Sequence, residues 1–397
     1  MLQGSRRSEL ITLCQRLIQI PSLSGNESDI ARFIANSALS LGYDKIDVDS
    51  YGNVILHMRF NGPGKTLLFH SQMDHVTPGN YTEWSCYPYA GIIKDRRIWG
   101  RGSSDQKGAL SAMIKSVAYL KEDCPTSLHG DVFIAAVVQQ ENFGGCSSRF
   151  IASALNPDAV VAGEASNLSI IRGQRGRAKI QLETRGRIAH SSFPELGINA
   201  AETMVSVISA LKKNYVVPED PFFGKGVLVL SGIYSTPLVA DKAIPDCCSA
   251  FYERKTLLGE QKEQIVHQIM EAVTKSLSAE ELRSLKASFA VTEGRCYTGA
   301  PLMIEQFVPA WQEPEDSEFL QTIARGLEKS GISAQIASTP GFGTSGCIYA
   351  GEQGLPTAIF GPGLQTQPHS VNEHIELAQL FSACEGYYHI AREFLTS

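Results

Sequence analysis

The sequence predicts an α/β protein in two parts: a large unit with a mostly parallel sheet, and a smaller α+β unit inserted into it. Three observations carry this. The chain has 397 residues, more than the roughly 250 to 300 at which a single hydrophobic core stops growing. Short apolar runs of buried-strand type alternate with segments of helical periodicity, the pattern of a parallel sheet covered by helices. The texture changes near Arg172, where strands with alternating faces begin, and changes back after about Tyr297.

Taken in order, "MLQGSRRSELITLCQRLIQIPSLSG" spaces Leu10, Ile11, Cys14, Leu17 and Ile18 at helical intervals and lacks a signal-peptide cleavage pattern. "ESDIARFIANSALSLG" is a second helix. "KTLLFHSQM" and "GDVFIAAVVQQ" are buried strands flanking the helix "DQKGALSAMIKSVAYLKE". "RAKIQLETRG", "KGVLVLSGIYS" and "DCCSAFYERKT" read as strands of the inserted unit. "NAAETMVSVISALKKN" and "EQKEQIVHQIMEAVTKSL" read as its helices. The first pattern resumes with "SEFLQTIARGLEKSG" and "LPTAIFGPG". The expected division is therefore 1–171 with 298–397 for the larger unit and 172–297 for the insertion. Internal repeats and low-complexity segments are absent.

Composition removes several classes of function. Hydrophobic content of 43% and charged content of 19% are those of a globular chain. A formal charge of −6 argues against a nucleic-acid partner, and the cluster of Lys94, Arg96 and Arg97 is too short to change that. No apolar run reaches the roughly 18 residues needed to span a membrane. The nine cysteines are scattered, with Cys247 and Cys248 adjacent, which suits neither a disulfide framework nor a CxxC site. The expected location is the cytoplasm.

The polar residues of interest lie where strands end, the place where open α/β sheets bind ligands. Gln72 and Asp74 in "QMD" share one face of an extended segment. Asp105 lies in the glycine-flanked turn "GRGSSDQKG", Glu141 follows Gln139 and Gln140 in "QQEN", and Glu164 lies in "GEAS". His369 follows the glycine-proline loop, in "QPHSVNEHI". Singly, each has an ordinary reading: Asp105 as a helix N-cap, the other acids as solvated strand ends, His190 and His369 as surface histidines. "GPGKT" is no phosphate loop, because the required leading glycine falls on Arg59 and Lys65 precedes a strand. A G-x-S-x-G elbow is also missing, since Cys347 stands where the second glycine would be.

Together and in order, "YGNVI", "GRGSSDQKGALSAM", "QQEN", "GEAS", "RGRIAHSSFPELGINA", "IPDCCSAFYERKTLLGE", "VPAW", "GLPTAIFGPG" and "PHSVNEHI" resemble the M20 family of metallopeptidases and deacylases over nearly the whole chain. That family includes aminoacylases, acetylornithine deacetylases, succinyl-diaminopimelate desuccinylases and glutamate carboxypeptidases. The resemblance implies a zinc-peptidase-like catalytic domain with an inserted lid or dimerisation domain, and hence a homodimer. It implies zinc, or cobalt or manganese, as one or two ions bridged by Asp105. One ion is then completed by Glu141 and His369, the other by Glu164 and the histidine of an H-x-D motif whose aspartate is Asp74. His190 matches a lid histidine that assists substrate binding. Arg254 matches a basic lid position that grips a substrate carboxylate, and Thr344 and Ser345 in "GTSG" match residues that contact substrate.

Two positions depart from the family pattern. Gln72 stands where the metal-binding histidine is expected, and Gln140 stands where a glutamate acts as general base. A glutamine carbonyl is a poor zinc ligand beside an imidazole, and an amide cannot take a proton from water at neutral pH. His70 shares the face of Gln72 and is the alternative imidazole, whereas His75 faces the other way. The expectation is an atypical metallohydrolase cutting an amide next to a carboxylate in a small molecule or peptide, with Gln72 in the metal site. A transferase, condensing enzyme, isomerase or lyase using the same pocket, and an inactive binding protein, are the alternatives.

Overall fold

The computed structural model describes residues 2–124, 126–237, 242–337 and 343–396. In chain order, helices α1 (Ser5–Ile18) and α2 (Ser28–Ser40) precede strands β1 (Lys45–Val48), β2 (Val54–Arg59) and β3 (Thr66–Gln72). Helix α3 (Gly108–Asp123), β4 (Asp131–Val137) and β5 (Ala159–Ala162) follow. Next come β6 (Arg177–Arg185), α4 (Ala200–Asn214), β7 (Val227–Thr236), β8 (Cys247–Lys255), α5 (Lys262–Thr274) and β9 (Leu285–Phe289). The last principal elements are α6 (Glu318–Lys329), β10 (Thr357–Ile359) and α7 (Leu377–Thr396). The chain divides into two units. One comprises Met1–Gln174, Glu293–Leu302 and Trp311–Ser397, the other Arg175–Thr292 and Met303–Ala310.

The first unit is α/β. Its six-stranded sheet runs β1-β2-β4-β3-β5-β10. The β3/β4, β3/β5 and β5/β10 pairings are parallel. At the other edge β1/β2 and β2/β4 are antiparallel. For β1/β2 the physical reason is the short connection between them, which only an antiparallel hairpin can use. There the Asp49 carboxylate accepts the backbone N–H groups of Tyr51, Gly52 and Asn53 and closes the turn.

β3 is buried on both faces, with only Thr66 partly accessible, which is why its sequence is a continuous apolar run instead of an alternation. Burying Leu67, Leu68 and Phe69 contributes roughly 1.5–3 kcal/mol each. Helix α3 packs against α1 and α7 as well as the sheet, so its residues from Gly108 to Leu120 are buried all round. The Tyr387 hydroxyl of α7 donates to the Phe360 carbonyl at 2.7 Å beyond β10, and its ring meets Phe69 edge-on. These contacts fix the strand ends from behind.

The second unit is α+β and rich in antiparallel strands, in the order β7-β8-β6-β9. β6 alternates buried and half-buried residues along its length. Ile180 and Leu182 from β6, with Ala250 and Tyr252 from β8, face Met204 and Val207 of α4 and Ile265 and Ile269 of α5. Asn199 caps α4 by accepting from Ala201 N–H, and Ser278 with Glu281 forms a capping box on a short helix that follows α5. No helix among the described residues is long and apolar enough to cross a membrane.

Candidate metal centre

β3 lies between β4 and β5 and runs parallel to both, so the three strands deliver their following residues to the same side of the sheet. Gln72 ends β3, Gln139 to Glu141 follow β4, and Glu164 follows β5. Asp105 arrives on the loop before α3 and His369 on the loop before α7. Two of the candidate residues' own segments place a left-handed residue that is not glycine at or beside the site, Gln139 at φ 58° and His369 at φ 64°, and Asn167 and Leu168 at φ 54° and 62° follow Glu164. Such conformations cost on the order of 1–3 kcal/mol and persist where the surroundings over-determine them.

The buried carboxyl group of Asp74 sets the backbone of the loop after β4. Asp74 accepts from Ser24 Oγ at 2.7 Å, from Gln140 N–H at 3.1 Å and from Glu141 N–H at 3.0 Å. Burial, with the nearby Glu141 charge, pushes the Asp74 carboxyl up to about 8. Asp74 thus places Glu141 through its backbone.

One ligand atom each from Asp105, Glu141 and His369 lies within 4.8 Å of the other two. His369 Nε2 is 3.3 Å from Asp105 Oδ2 and 3.1 Å from Glu141 Oε2. The two carboxylates are about nine-tenths buried, at 10% and 11% side-chain exposure, while the imidazole is 56% exposed. The result is a buried anionic floor with an accessible nitrogen above it. Burial pushes the Asp105 carboxyl up against the pull of His369, and Asp105 and Glu141 together raise the imidazole to about 10. Two carboxylate oxygens and an imidazole nitrogen are the donor set of a divalent transition metal with an open position, and clustered acids favour a cation among them. The residues present fit such an ion.

This geometry overturns the expectation of an atypical centre with Gln72 among its ligands. The three converging ligands are of ordinary type, and Gln72 is a hydrogen-bond donor to two of them. Its Nε2 lies 3.0 Å from Asp105 Oδ1 and 2.9 Å from Glu141 Oε1, leaving Asp105 Oδ2 and Glu141 Oε2 on the His369 side. The orientation of this amide is fixed by its neighbours: Gln106 Nε2 donates to Gln72 Oε1 at 3.1 Å, and Ser71 Oγ donates to Gln106 Oε1 at 3.1 Å.

Gln140 follows β4, one residue before Glu141. Its side chain is buried and its Oε1 packs where a Cβ on Gly145 would stand, at 2.8 Å. His70 is buried, pairs through Nδ1 with the Tyr349 hydroxyl at 3.0 Å, and is pushed down to about 3 by burial. His75 accepts from Ser22 N–H through Nε2 and faces the Val76 carbonyl through Nδ1, the arrangement of a neutral core imidazole.

Glu164 is buried, and burial together with the charges of Asp105 and Glu141 drives its carboxyl well above the carboxylate range, opposed by a hydrogen bond to Gln106. It lies outside the three-residue ligand group. Thr344 and Ser345 are buried, with the Thr344 hydroxyl donating to Gln174 Oε1 at 2.5 Å. In the second unit, His190 is exposed on a two-residue strand and accepts from Ser192 N–H through Nδ1. Arg254 lies on β8. Its side chain is wholly buried, paired with Glu260 and donating to the Lys255 and Val227 carbonyls, so it braces β8 and β7.

Sequence reasoning assigns no role to Gln106, Arg101 or Glu373. Glu373 is 1% exposed and Arg101 2%, and their ion pair spans 2.7 Å. The signal available is an acid four residues after a candidate histidine, which spacing alone does not distinguish from a solvated one.

An α/β sheet that gathers two carboxylates and an imidazole beside its strand ends carries the class of site that can hold a divalent metal ion. Similarity to known proteins agrees. Residues 68–393 match the peptidase family M20/M25/M40, and the chain belongs to that family, with its hydrolase and metallopeptidase character. Among curated relatives it is 27% identical over 394 residues to "Uncharacterized protein YgeY" of Escherichia coli (strain K12), covering 98% of this chain and 96% of that one. It is 24% identical over 406 residues to N-formyl-4-amino-5-aminomethyl-2-methylpyrimidine deformylase of Halalkalibacterium halodurans, covering 94% and 91%. Among solved structures, a tripeptidase from Staphylococcus aureus superposes with TM-score 0.73 at 20% identity, covering 98% and 99%. Aminopeptidase PepT from Bacillus cereus does so at 0.72 and 20%, covering 98% of each chain. At those identities the structural likeness speaks for the fold.

Proposed function

We propose that this chain is a hydrolase that holds one divalent ion, zinc, cobalt or manganese, through Asp105, Glu141 and His369 and cleaves an acyl carbon–nitrogen bond. The observation that carries the reading is the convergence of those three ligand atoms within 4.8 Å. The names deformylase, tripeptidase and aminopeptidase among the similar proteins support the type of bond. When bound, the ion supplies Lewis-acid polarisation of the scissile carbonyl.

The chain's own residues do the rest. Asp74 holds Glu141 in place through its N–H, and Gln72 holds the inner oxygens of Asp105 and Glu141, so both acids keep their outer oxygens toward His369. The exposed face of His369 marks the side from which substrate approaches. Glu164 is buried close to Asp105 and Glu141, and the role proposed for its carboxyl is to carry the proton lost by the attacking water to the departing amine.

The test is turnover. Purified protein with Zn2+, Co2+ or Mn2+ is incubated with a panel of N-acyl amino acids and di- and tripeptides, and free amine is measured. The expected result is amine release that His369→Ala abolishes. Amine release that survives His369→Ala, or none from any compound with any of the three metals, contradicts the reading.

A further inference from the structure

We propose that Glu373 and Arg101 are positioning residues for the metal centre: one buried carboxylate and its guanidinium partner tie the Asp105 loop and the His369 loop together. This rests on the metal reading above. The geometry is specific. Glu373 Oε1 accepts from Ser104 N–H at 2.8 Å and from Asp105 N–H at 3.1 Å. Its Oε2 accepts from Gly102 N–H at 2.9 Å and from Arg101 Nη1 at 2.7 Å. Arg101 Nη2 in turn faces the His369 carbonyl at 3.5 Å, and the guanidinium stands 5.2 Å from the centre of the Trp84 ring.

A carboxylate buried at 1% exposure with three backbone N–H groups and a guanidinium around it has both oxygens committed. Its acceptors dictate the path of the chain from Gly102, in the left-handed region at φ 83°, to Asp105. Asp74 does the same for the other acid by accepting the Glu141 N–H. Each acidic residue of the centre therefore has its backbone held by a separate buried carboxyl group, and of the two only the Glu373 pair also reaches the loop of the histidine. Groups that orient metal ligands typically change metal affinity about 10–100-fold when altered. A buried ion pair serving stability alone changes folding and leaves the affinity of a folded protein untouched.

The experiment is Co2+ titration of full-length protein, followed by visible absorption and calorimetry, alongside urea unfolding of the metal-free form. Glu373→Gln puts an amide donor opposite Arg101 and Gly102 N–H, and Arg101→Lys keeps the charge while losing the fork. Lys115→Met removes the Lys115–Glu9 pair (3.0 Å) between α3 and α1 and serves as a stability control. The expected result is Co2+ affinity lower by about 10–100-fold in both positioning variants, with an altered absorption band, and unchanged affinity in the control. A folded Glu373→Gln or Arg101→Lys that binds Co2+ like the parent overturns the proposal. Should Glu373→Gln not fold, the Co2+ affinity of Arg101→Lys decides the matter by the same criterion. A parent protein that takes up no Co2+ overturns the metal reading itself, and the positioning role with it.

Discussion

At Glu164 the buried carboxyl stands beside two other acids, and its charge is disfavoured by burial first and by Asp105 and Glu141 next. Glu164→Gln keeps the shape and the hydrogen bond to Gln106 while removing the carboxyl that carries the proton. Turnover is expected to fall about 10²- to 10⁴-fold with metal content unchanged, checked by steady-state kinetics and elemental analysis of the same preparation. A parallel loss of metal would make Glu164 a ligand and withdraw its proton-carrying role. Much of the centre is legible at this scale. Asp105, Glu141 and His369 stand out because acids and a histidine after strand ends, in this order, resemble a known pattern. Gln72 is misread from sequence for a definite reason: alternation along a strand says which face a residue occupies, but not whether an amide turns its oxygen or its nitrogen to the neighbours. That choice is set by Gln106 and Ser71, residues brought in by the fold. Glu373 is invisible because most of its partners are backbone N–H groups, which leave no trace in residue type. The burial of Arg254 is not legible in the sequence, because it depends on what packs across its strand.

Among elements, α1 is attached to α3 by charge as well as by apolar packing. Arg6 donates from Nη1 to Asp123 Oδ2 at 2.9 Å and from Nη2 to Asp123 Oδ1 at 2.8 Å, and its guanidinium lies 4.5 Å from the centre of the Tyr119 ring. Asp123 ends α3, where a negative charge is disfavoured by the helix dipole, and the Arg6 hydrogen bonds hold its carboxyl below the usual range. A carboxyl depressed in the folded state adds stability above its unfolded pKa of about 3.9 and loses it as pH falls through the folded value. The pair is partly exposed, at 22% and 33%, so the contribution is of order 0.5–1 kcal/mol. Arg6 also donates to Glu122 Oε2 at 2.8 Å, so Arg6→Ala should destabilise at pH 7 by about that amount, and the gap should be smaller at pH 3, as pH falls towards the depressed folded value of Asp123. Urea midpoints of both proteins at the two pH values check this, and a gap that stays constant would contradict it. The elements themselves are readable: α1, α3, β3 and β4 follow from periodicity and apolar runs. The antiparallel β1/β2 edge is not, because its pairing is decided by the short Asp49 turn and by which strand lies next to β4.

The whole molecule consists of two units with different chemistry. The α/β unit carries the acids, the imidazole and the carboxylates that hold their loops. The α+β unit buries Arg254 and exposes His190. The sheet order β1-β2-β4-β3-β5-β10 matters to function because it puts β3 between two parallel neighbours and so brings the ends of three strands together. Charge supports the same picture, since a floor of acids buried at strand ends is stable only when a cation, or protons, offset it. Everything proposed for function depends on one divalent ion held by Asp105, Glu141 and His369. Elemental analysis puts that to the test, on protein purified without chelator and again after excess zinc and desalting, for the parent and for His369→Ala. The expected content is close to one ion per chain in the parent, with a large loss in the variant. No metal in the parent after excess zinc, or the same content in His369→Ala, would contradict it.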